Sequence, residues 1–512
     1  MFDMPSGAEI QSIISILRAG AGYFIPELYL SALFMVLIIL DLVLGGRKNR
    51  ILASATIIGL LGSFFFIFQQ HALPDAEIFF GMYSLDRFGI FFKYFFVLTG
   101  VLAVVISMED EHLNAQESGV GEYYALIVGM VIGMIMMASS TDLLMMFLAM
   151  ELVGLSAYAL TGYLKREPRS SEAALKYLVY GAVSSGMLLY GFSLIYGMTA
   201  QTNISKISTE LTQHGYDPLV MILATLLVMA GLGYKMGAVP FHFWSPDVYE
   251  GAPTPITAYL STGSKAAGFA MLMRFFYVAV PHAVDGVEDM LGVDWLHIMM
   301  IIAAASMIYG NVVAIWQKNV KRLLAYSSIA HAGYLLLGII TMDQLGTQSV
   351  LVYLLGYLLM NIGAFYVVVM IANKTGSENV DDYKGLGKSM PLAGAALTVF
   401  LISLVGLPPT FGFVGKLMIF SALINKGGNA FMWLALIGIL TSVISLYYYM
   451  FIPLNMFLRE SEHNSQKDVS TGMVSKVVTA VLMFLTIYFG IFFQPVVEYA
   501  KYSVTMFGAL LK

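Results

Sequence analysis

The chain has 512 residues, 59% of them apolar and 12% charged, where an ordinary soluble domain carries about 25% charged residues; a water-soluble enzyme of the usual kind is excluded. With 27 Lys and Arg against 32 Asp and Glu the net charge is -5, which gives no basic surface for nucleic acid. Cysteine is absent, which excludes disulfides, zinc-thiolate sites, iron-sulfur clusters and c-type haem attachment within the chain.

The first twenty residues hold Asp3 and Glu9 and no basic n-region, so they do not read as a cleaved signal peptide, and the first helix is expected to remain. A helix crosses a bilayer with about 20 mostly apolar residues. Runs of that length fall near 24–44, 51–70, 86–107, 121–139, 141–162, 172–197, 218–244, 256–280, 294–316, 320–342, 347–373, 391–424, 429–455 and 473–498. No polar block between them is large enough for a soluble domain. The expectation is an all-α polytopic membrane protein of about fourteen transmembrane helices, with residues 1–512 as a single transmembrane domain.

Basic residues set orientation. The loops after helices one, five, nine, eleven and thirteen carry Arg47, Lys48, Arg50, Lys165, Arg166, Arg169, Lys318, Lys321, Arg322, Lys374, Lys384, Lys388, Arg459 and Lys467. The opposite side, with both termini, carries Arg18, Lys206, Lys426, Lys501 and Lys512. Both termini are therefore expected on the outer, positive side of the membrane.

An ionisable group near the bilayer centre costs at least about 2.5 to 3.5 kcal/mol and asks for a partner or a task. Glu151 falls at the middle of helix five, Lys235 in helix seven, Lys265 in helix eight and Lys416 in helix twelve. Static ion pairs are the plain explanation, but three deep lysines cannot all be neutralised by one deep glutamate. A proton relay accounts for the imbalance, because a poorly hydrated lysine can cycle between protonated and neutral forms. Lys176, near the inner end of helix six, is expected to pair with Glu151 and so act as a switch on Lys235, unless it is simply an interfacial lysine reaching the headgroups. His331 in helix ten, and His242 after Pro240, could join the path or be hydrogen-bonded core residues.

Two spans are broken beside a buried lysine. Helix seven runs through Gly231, Gly233 and Gly237 to Pro240, and helix twelve through Gly406, Pro408, Pro409, Gly412 and Gly415. Such backbone is tolerated at membrane depth only where it is buried in protein or lines a wet cavity. The run 391–424 would measure ~51 Å as one helix, too long for a core of about 30 Å. Lys235 and Lys416 occupy corresponding places in two halves, approximate inverted repeats 121–280 and 294–455, an arrangement of transporters. No phosphate-binding loop, H-E-x-x-H or dinucleotide fingerprint competes.

The stretch GLGYKMGAVPFHFWSPDVYEGAPTPITAYLSTGSK (231–265), with NVKRLLAYSSIAHAGYLLLG and GLPPTFGFVGK, strongly resembles the antiporter-like membrane subunits of proton-pumping NADH:quinone oxidoreductase, respiratory complex I. The form PDVYEGAPTP resembles the subunit N branch (the mitochondrial ND-two type) more than its sister subunits L and M. The resemblance implies that Glu151 is the glutamate of helix five, Lys235 the central proton carrier, Lys265 the lysine of helix eight and Lys416 the lysine near the outer exit. Lys176 is similar to the basic partner of the glutamate, and His331 to a polar bridge between the halves. It further implies no cofactor and no metal in this chain, electron transfer in a separate arm, and proton translocation outward. The implied partners are the lipid bilayer and the other membrane subunits of a complex I-like assembly, neighbouring antiporter-like subunits among them. The implied location is a bacterial plasma membrane or an equivalent energy-transducing membrane. A subunit of an Mrp-type multisubunit sodium/proton antiporter is the main alternative, and a purely structural membrane subunit with its charges frozen in pairs is a third.

Overall fold

The computed structural model describes residues 6–45, 49–116, 120–280, 295–460 and 472–507. Of the basic residues that set the expected topology, Arg47, Lys48, Lys467 and Lys512 lie outside them. Among the described residues twelve helices are long and apolar enough to cross a membrane. Two further passes are interrupted ones, which together agree with the count of fourteen.

The N-terminal part is helical earlier than expected. Helix α1 (Gly7–Ala21) runs through a 3-10 turn into α2 (Ile25–Leu44), which has Pro26 in its first turn and ends at Gly45 in the left-handed conformation (φ 65°). Helix α3 (Asn49–Gln70) leads to a two-stranded hairpin, β1 (Ala76–Ile78) antiparallel to β2 (Tyr83–Leu85). Asp86 caps α4 (Arg87–Glu109) by accepting from Gly89 N–H. The short α5 (Glu111–Asn114) precedes α6 (Gly121–Ser139), α7 (Leu143–Thr161, capped by Asp142) and α8 (Pro168–Thr199).

After the short amphipathic α9 (Ile204–His214) comes α10 (Pro218–Met236), then a non-helical turn, then α11 (Trp244–Gly251). The next pass is α12 (Thr254–Tyr259) joined to α13 (Lys265–Val278) by a π-helical segment, Leu260–Ser264. Helices α14 (Trp295–Ala314), α15 (Val320–Ile340) and α16 (Gln344–Thr375) follow, the last two capped by Asn319 and Asp343. Beyond the short α17 (Leu386–Ser389), the long apolar run is divided into α18 (Pro391–Val405) and α19 (Phe411–Lys426). Helices α20 (Asn429–Leu458), α21 (Met473–Ile491) and α22 (Gln494–Ser503) complete the described chain.

Helix α15 is the axis of the bundle. Its most apolar stretch is wholly buried, and that of α16 nearly so. Around α15 pack α11, α14, α16 and α19, while α2, α3, α20 and α21 show apolar side chains such as Val43, Phe68, Tyr447 and Phe484 to the outside.

Two buried ion pairs that the sequence reading did not single out tie the hairpin region to the body. Lys93 Nζ lies 2.7 Å from Glu27 Oε1 and donates to Gln70 Oε1 at 2.8 Å, while the Tyr83 hydroxyl donates to the same Glu27 oxygen at 2.5 Å. Arg274 of α13 donates in bidentate fashion to Asp86, at 2.8 and 3.1 Å, and its Nε donates to Ala138 O. Removing one member of such a pair strands a charge. Arg274→Met is expected to destabilise the protein by about 3–5 kcal/mol, seen as a lower unfolding temperature of the detergent-solubilised protein. Asp86→Asn combined with Arg274→Met removes both charges while keeping an acceptor for the Gly89 N–H cap, and should recover most of that loss.

Candidate functional site

The first break begins where α10 ends on Gly237, whose φ of 67° is a left-handed conformation costly for any residue with a Cβ. The freed backbone is satisfied locally: Val239 N–H donates to Ser306 Oγ at 2.9 Å and Trp244 Nε1 to Tyr234 O at 3.0 Å. Lys235 occupies the last turn of α10 and is buried. It makes no hydrogen bond and no ion pair within 4 Å among the described residues, and Glu151 is the carboxylate whose charge acts on it. Its stem packs on Gly268 of α13, where an added Cβ would come within 3.3 Å of Lys235 Cγ.

Lys265 opens α13 just after the π segment, and its Nζ donates to Ser328 O at 2.6 Å and to Ser328 Oγ at 2.5 Å. An added Cβ on Gly237 would stand 3.8 Å from that Nζ. Lys265 therefore lies against the break that follows Lys235.

The second break follows α18, where Gly406 adopts φ 88°. Lys416 of α19 turns its Nζ back onto the end of α18, donating to Leu404 O at 3.0 Å, Val405 O at 2.8 Å and Ser442 Oγ at 2.9 Å. The last carbonyls of a helix have no partner within it and carry partial negative charge, so a cation is stabilised there. Gly406 is required twice over, since a Cβ at that position would also meet Lys416 Cδ at 2.7 Å.

One face of α15 joins the two lysines. Ser328, His331 and Tyr334 follow at intervals of three residues, which places them in a row along one side of a helix. Ser328 receives Lys265. His331 Nδ1 is 2.5 Å from the Tyr353 hydroxyl and its Nε2 is 3.2 Å from the Tyr449 hydroxyl, which also pairs with Ser327. Tyr334 turns its ring to Lys416, with Nζ 4.5 Å from the centroid. Ser328 and Tyr334 are ~9 Å apart along the helix axis, and every group in the row is buried.

Glu151 stands away from this row. It lies on α7 in a partly exposed position beside the exposed Leu148, Leu152 and Leu155, and makes no ion pair within 4 Å among the described residues. Lys176 does not pair with it as expected. Instead Lys176 Nζ is 2.6 Å from Asp247 Oδ2 and 2.7 Å from Glu172 Oε1. Glu172 is one turn earlier on α8 and Asp247 lies on α11 beyond the break, both toward the bundle end to which an interfacial lysine extends. Asp247 also accepts from Arg322 Nη1 at 2.6 Å, and Arg322 in turn reaches Glu250 Oε2 at 3.0 Å. Burial pushes the Asp247 carboxyl up, but the hydrogen bonds from Lys176 and Arg322 outweigh it and hold the group below the usual carboxylate range. His242 is buried against the rings of Phe243 and Tyr309, with neither ring nitrogen bonded to protein among the described residues.

Two cavities open at opposite ends of α15. One, of 390 Å³, has Asp110, His112, Glu167, Glu250 and Lys321 in its wall and lies near the start of that helix; the other, of 670 Å³, is lined by Asp343, Gln348, Met418 and Glu498 beyond its end. Burial raises the Asp110 carboxyl, against hydrogen bonds from Leu113 and other groups that act to lower it.

The structure thus brings Lys235, Lys265, His331 and Lys416 into one polar line, with Glu151 and Lys176 to one side. Asp247, Arg322, Ser328, Tyr334, Tyr353 and Tyr449 were not anticipated. The pattern Ser-Ser-x-x-His-x-x-Tyr (327–334) in an apolar run was the available signal for the row on α15. Tyr449→Phe leaves His331 Nε2 and the Ser327 hydroxyl without that partner and is expected to lower stability by about 1–3 kcal/mol in thermal unfolding, whereas Tyr502→Phe, at an exposed position, should be neutral.

Residues 140–445, which include all six candidate residues, match the family model described as NADH:quinone oxidoreductase/Mrp antiporter, TM. NADH-quinone oxidoreductase subunit N of Chlorobium chlorochromatii (strain CaD3) is 67% identical, over 100% of both chains. Among solved structures, a chain of respiratory complex I from Thermus thermophilus superposes with a TM-score of 0.75 at 31% identity, covering 92% of this chain and 98% of that one. A chain of the Mrp complex from Dietzia sp. DQ12-45-1b gives a TM-score of 0.78 at 19% identity, covering 96% and 100%, a likeness of fold alone.

Proposed function

The chain belongs to the subunit N family of the NADH:quinone oxidoreductase/Mrp antiporter proteins, and on that premise we propose how its buried line moves protons. It is a multi-pass membrane subunit of an NADH-quinone oxidoreductase, an enzyme complex, and its task is proton translocation. Our reading is that this subunit holds no redox group or metal, that electrons pass elsewhere in the complex, and that neighbouring antiporter-like subunits adjoin it. Both termini face the outer side, so that the 390 Å³ cavity opens inward and the 670 Å³ cavity outward.

The observation that carries the reading is the buried row from Lys265 through Ser328, His331 and Tyr334 to Lys416, set between two broken helices. Protons are taken up from the inner face, reach Lys235 and Lys265, pass along α15 by way of His331, and leave from Lys416. Glu151 acts as the charge that stabilises the protonated form of Lys235. None of the three lysines makes an ion pair within 4 Å among the described residues, which speaks against charges frozen in pairs. The 67% identity to a subunit N, against a likeness of fold alone to the Mrp complex, favours the redox-driven complex over an antiporter.

Glu151→Gln removes the charge with little change of volume, and is expected to lower proton pumping and coupled electron transfer together in the assembled complex, whereas Glu151→Asp should retain more of both. Wild-type proton-to-electron ratios in both variants would sink the role given to Glu151. At the other end of the line, Lys416→Arg keeps a positive charge but holds its proton at every accessible pH. Both Lys416→Arg and Lys416→Met are expected to assemble and to impair translocation in proteoliposomes. A wild-type ratio in the arginine variant alone would make Lys416 an electrostatic fixture.

A further inference from the structure

The pass that carries Lys265 is not one regular helix. Between α12 and α13 the residues Leu260–Ser264 form a π turn, buried throughout. A π turn holds one residue more than an α-helical turn, is rare, and occurs mostly as a single turn within an α-helix. Lys265 is the next residue, so the direction in which its side chain leaves the helix is set by this turn. Were the turn to relax to α geometry with α12 in place, Lys265 would swing by roughly 100°, the angle of one residue at 3.6 per turn, and would leave Ser328.

Side chains hold the turn open. Ala258 O, which in an α-helix would serve the Thr262 N–H, accepts from the hydroxyls of Ser261 at 2.8 Å and Thr262 at 2.7 Å. Such hydroxyls compete with backbone donors and weaken α geometry. Ser261 is held in turn from outside the helix, by Asn361 of α16, whose Nδ2 donates to Ser261 Oγ at 2.6 Å. Gly263 closes the back of the turn, where an added Cβ would meet Met134 Sδ at 3.1 Å and Thr99 Cγ2 at 3.2 Å. Asn361 is fully buried, and its Oδ1 has no hydrogen-bond partner among the described residues. A half-satisfied amide at this depth costs stability that an apolar side chain of the same size would not. Its presence is explained by what it holds, not by what it adds to packing.

Resting on the place of Lys265 in the proton line proposed above, we propose that Asn361 is a positioning residue: by fixing the Ser261 hydroxyl it keeps the π turn at 260–264, and so seats the Lys265 ammonium on Ser328, where the row along α15 begins. Among the described residues its side-chain hydrogen bond is to Ser261 and not to Lys265 or Ser328. It therefore acts through the course of the backbone, one turn before the lysine that it places.

The test uses the intact complex in proteoliposomes and reads quinone reduction, proton translocation and thermal unfolding. Asn361→Leu removes the donor at nearly constant volume, and Ser261→Ala removes its acceptor. Each is expected to slow coupled turnover about five-fold, as the loss of one hydrogen bond implies, and Asn361→Leu should leave the unfolding temperature unchanged or raised. The double variant should be no slower than either single one, and Asn361→Leu should cause no further loss in a Lys265→Met background, because both effects pass through the seat of Lys265. Wild-type turnover in Asn361→Leu or in Ser261→Ala overturns the proposal, as do multiplying effects in either double variant. A slower Asn361→Leu with a lower unfolding temperature overturns it too, since Asn361 would then be a packing residue. If Asn361→Leu does not assemble, Ser261→Ala decides alone. Wild-type turnover in Lys265→Met would defeat the underlying reading, whereas an impaired Lys265→Met beside a wild-type Asn361→Leu defeats the Asn361 proposal alone.

Discussion

Everything in this bundle depends on how a charge is satisfied where water cannot solvate it. The protein uses two solutions. Glu27 with Lys93, and Asp86 with Arg274, are closed pairs in which each ion meets its opposite at hydrogen-bond distance. Lys265 and Lys416 rest instead on neutral acceptors, a serine and the free carbonyls of a helix end. The difference is chemical. A closed pair that loses a proton leaves an uncompensated ion behind, whereas a lysine on neutral oxygens becomes a neutral amine among neutral groups. The closed pairs sit beside the hairpin, where rigidity is wanted, and the open seats lie along α15.

The two helix breaks make the open seats available. An unbroken helix spends its carbonyls on its own amides, and at membrane depth it offers little to an ammonium. Ending α18 at Gly406 exposes the carbonyls of Leu404 and Val405 to Lys416, and ending α10 at Gly237 sets the break against the Lys265 ammonium. Fold and chemistry are therefore specified by the same glycines.

Much of this was legible in the residues. Apolar runs of fixed length gave the passes, because the bilayer demands them. The glycine and proline clusters gave the breaks, and lone lysines in apolar runs gave the candidate sites. Pairing between distant elements was not legible. Lys176 was assigned to Glu151 by nearness in sequence, but the carboxylate that holds it comes from α11, 71 residues on, and only the fold brings that helix against α8. Likewise Asp86 and Arg274 are 188 residues apart, and no local pattern marks either as half of a pair. Tyr353 and Tyr449 look like packing residues in their own helices and become partners of His331 only when three helices converge.

The seat of Lys416 has a further consequence. Two of its three acceptors are main-chain oxygens, which are the same atoms whatever side chains occupy positions 404 and 405. Substituting those two residues changes packing but cannot delete the acceptors. Those two acceptors are lost by rebuilding the helix end itself, as a residue at 406 that refuses the left-handed turn would do. The seat of Lys416 is thus recorded in sequence as the absence of a side chain at position 406, and not in the side chains of the two residues whose carbonyls meet the ammonium.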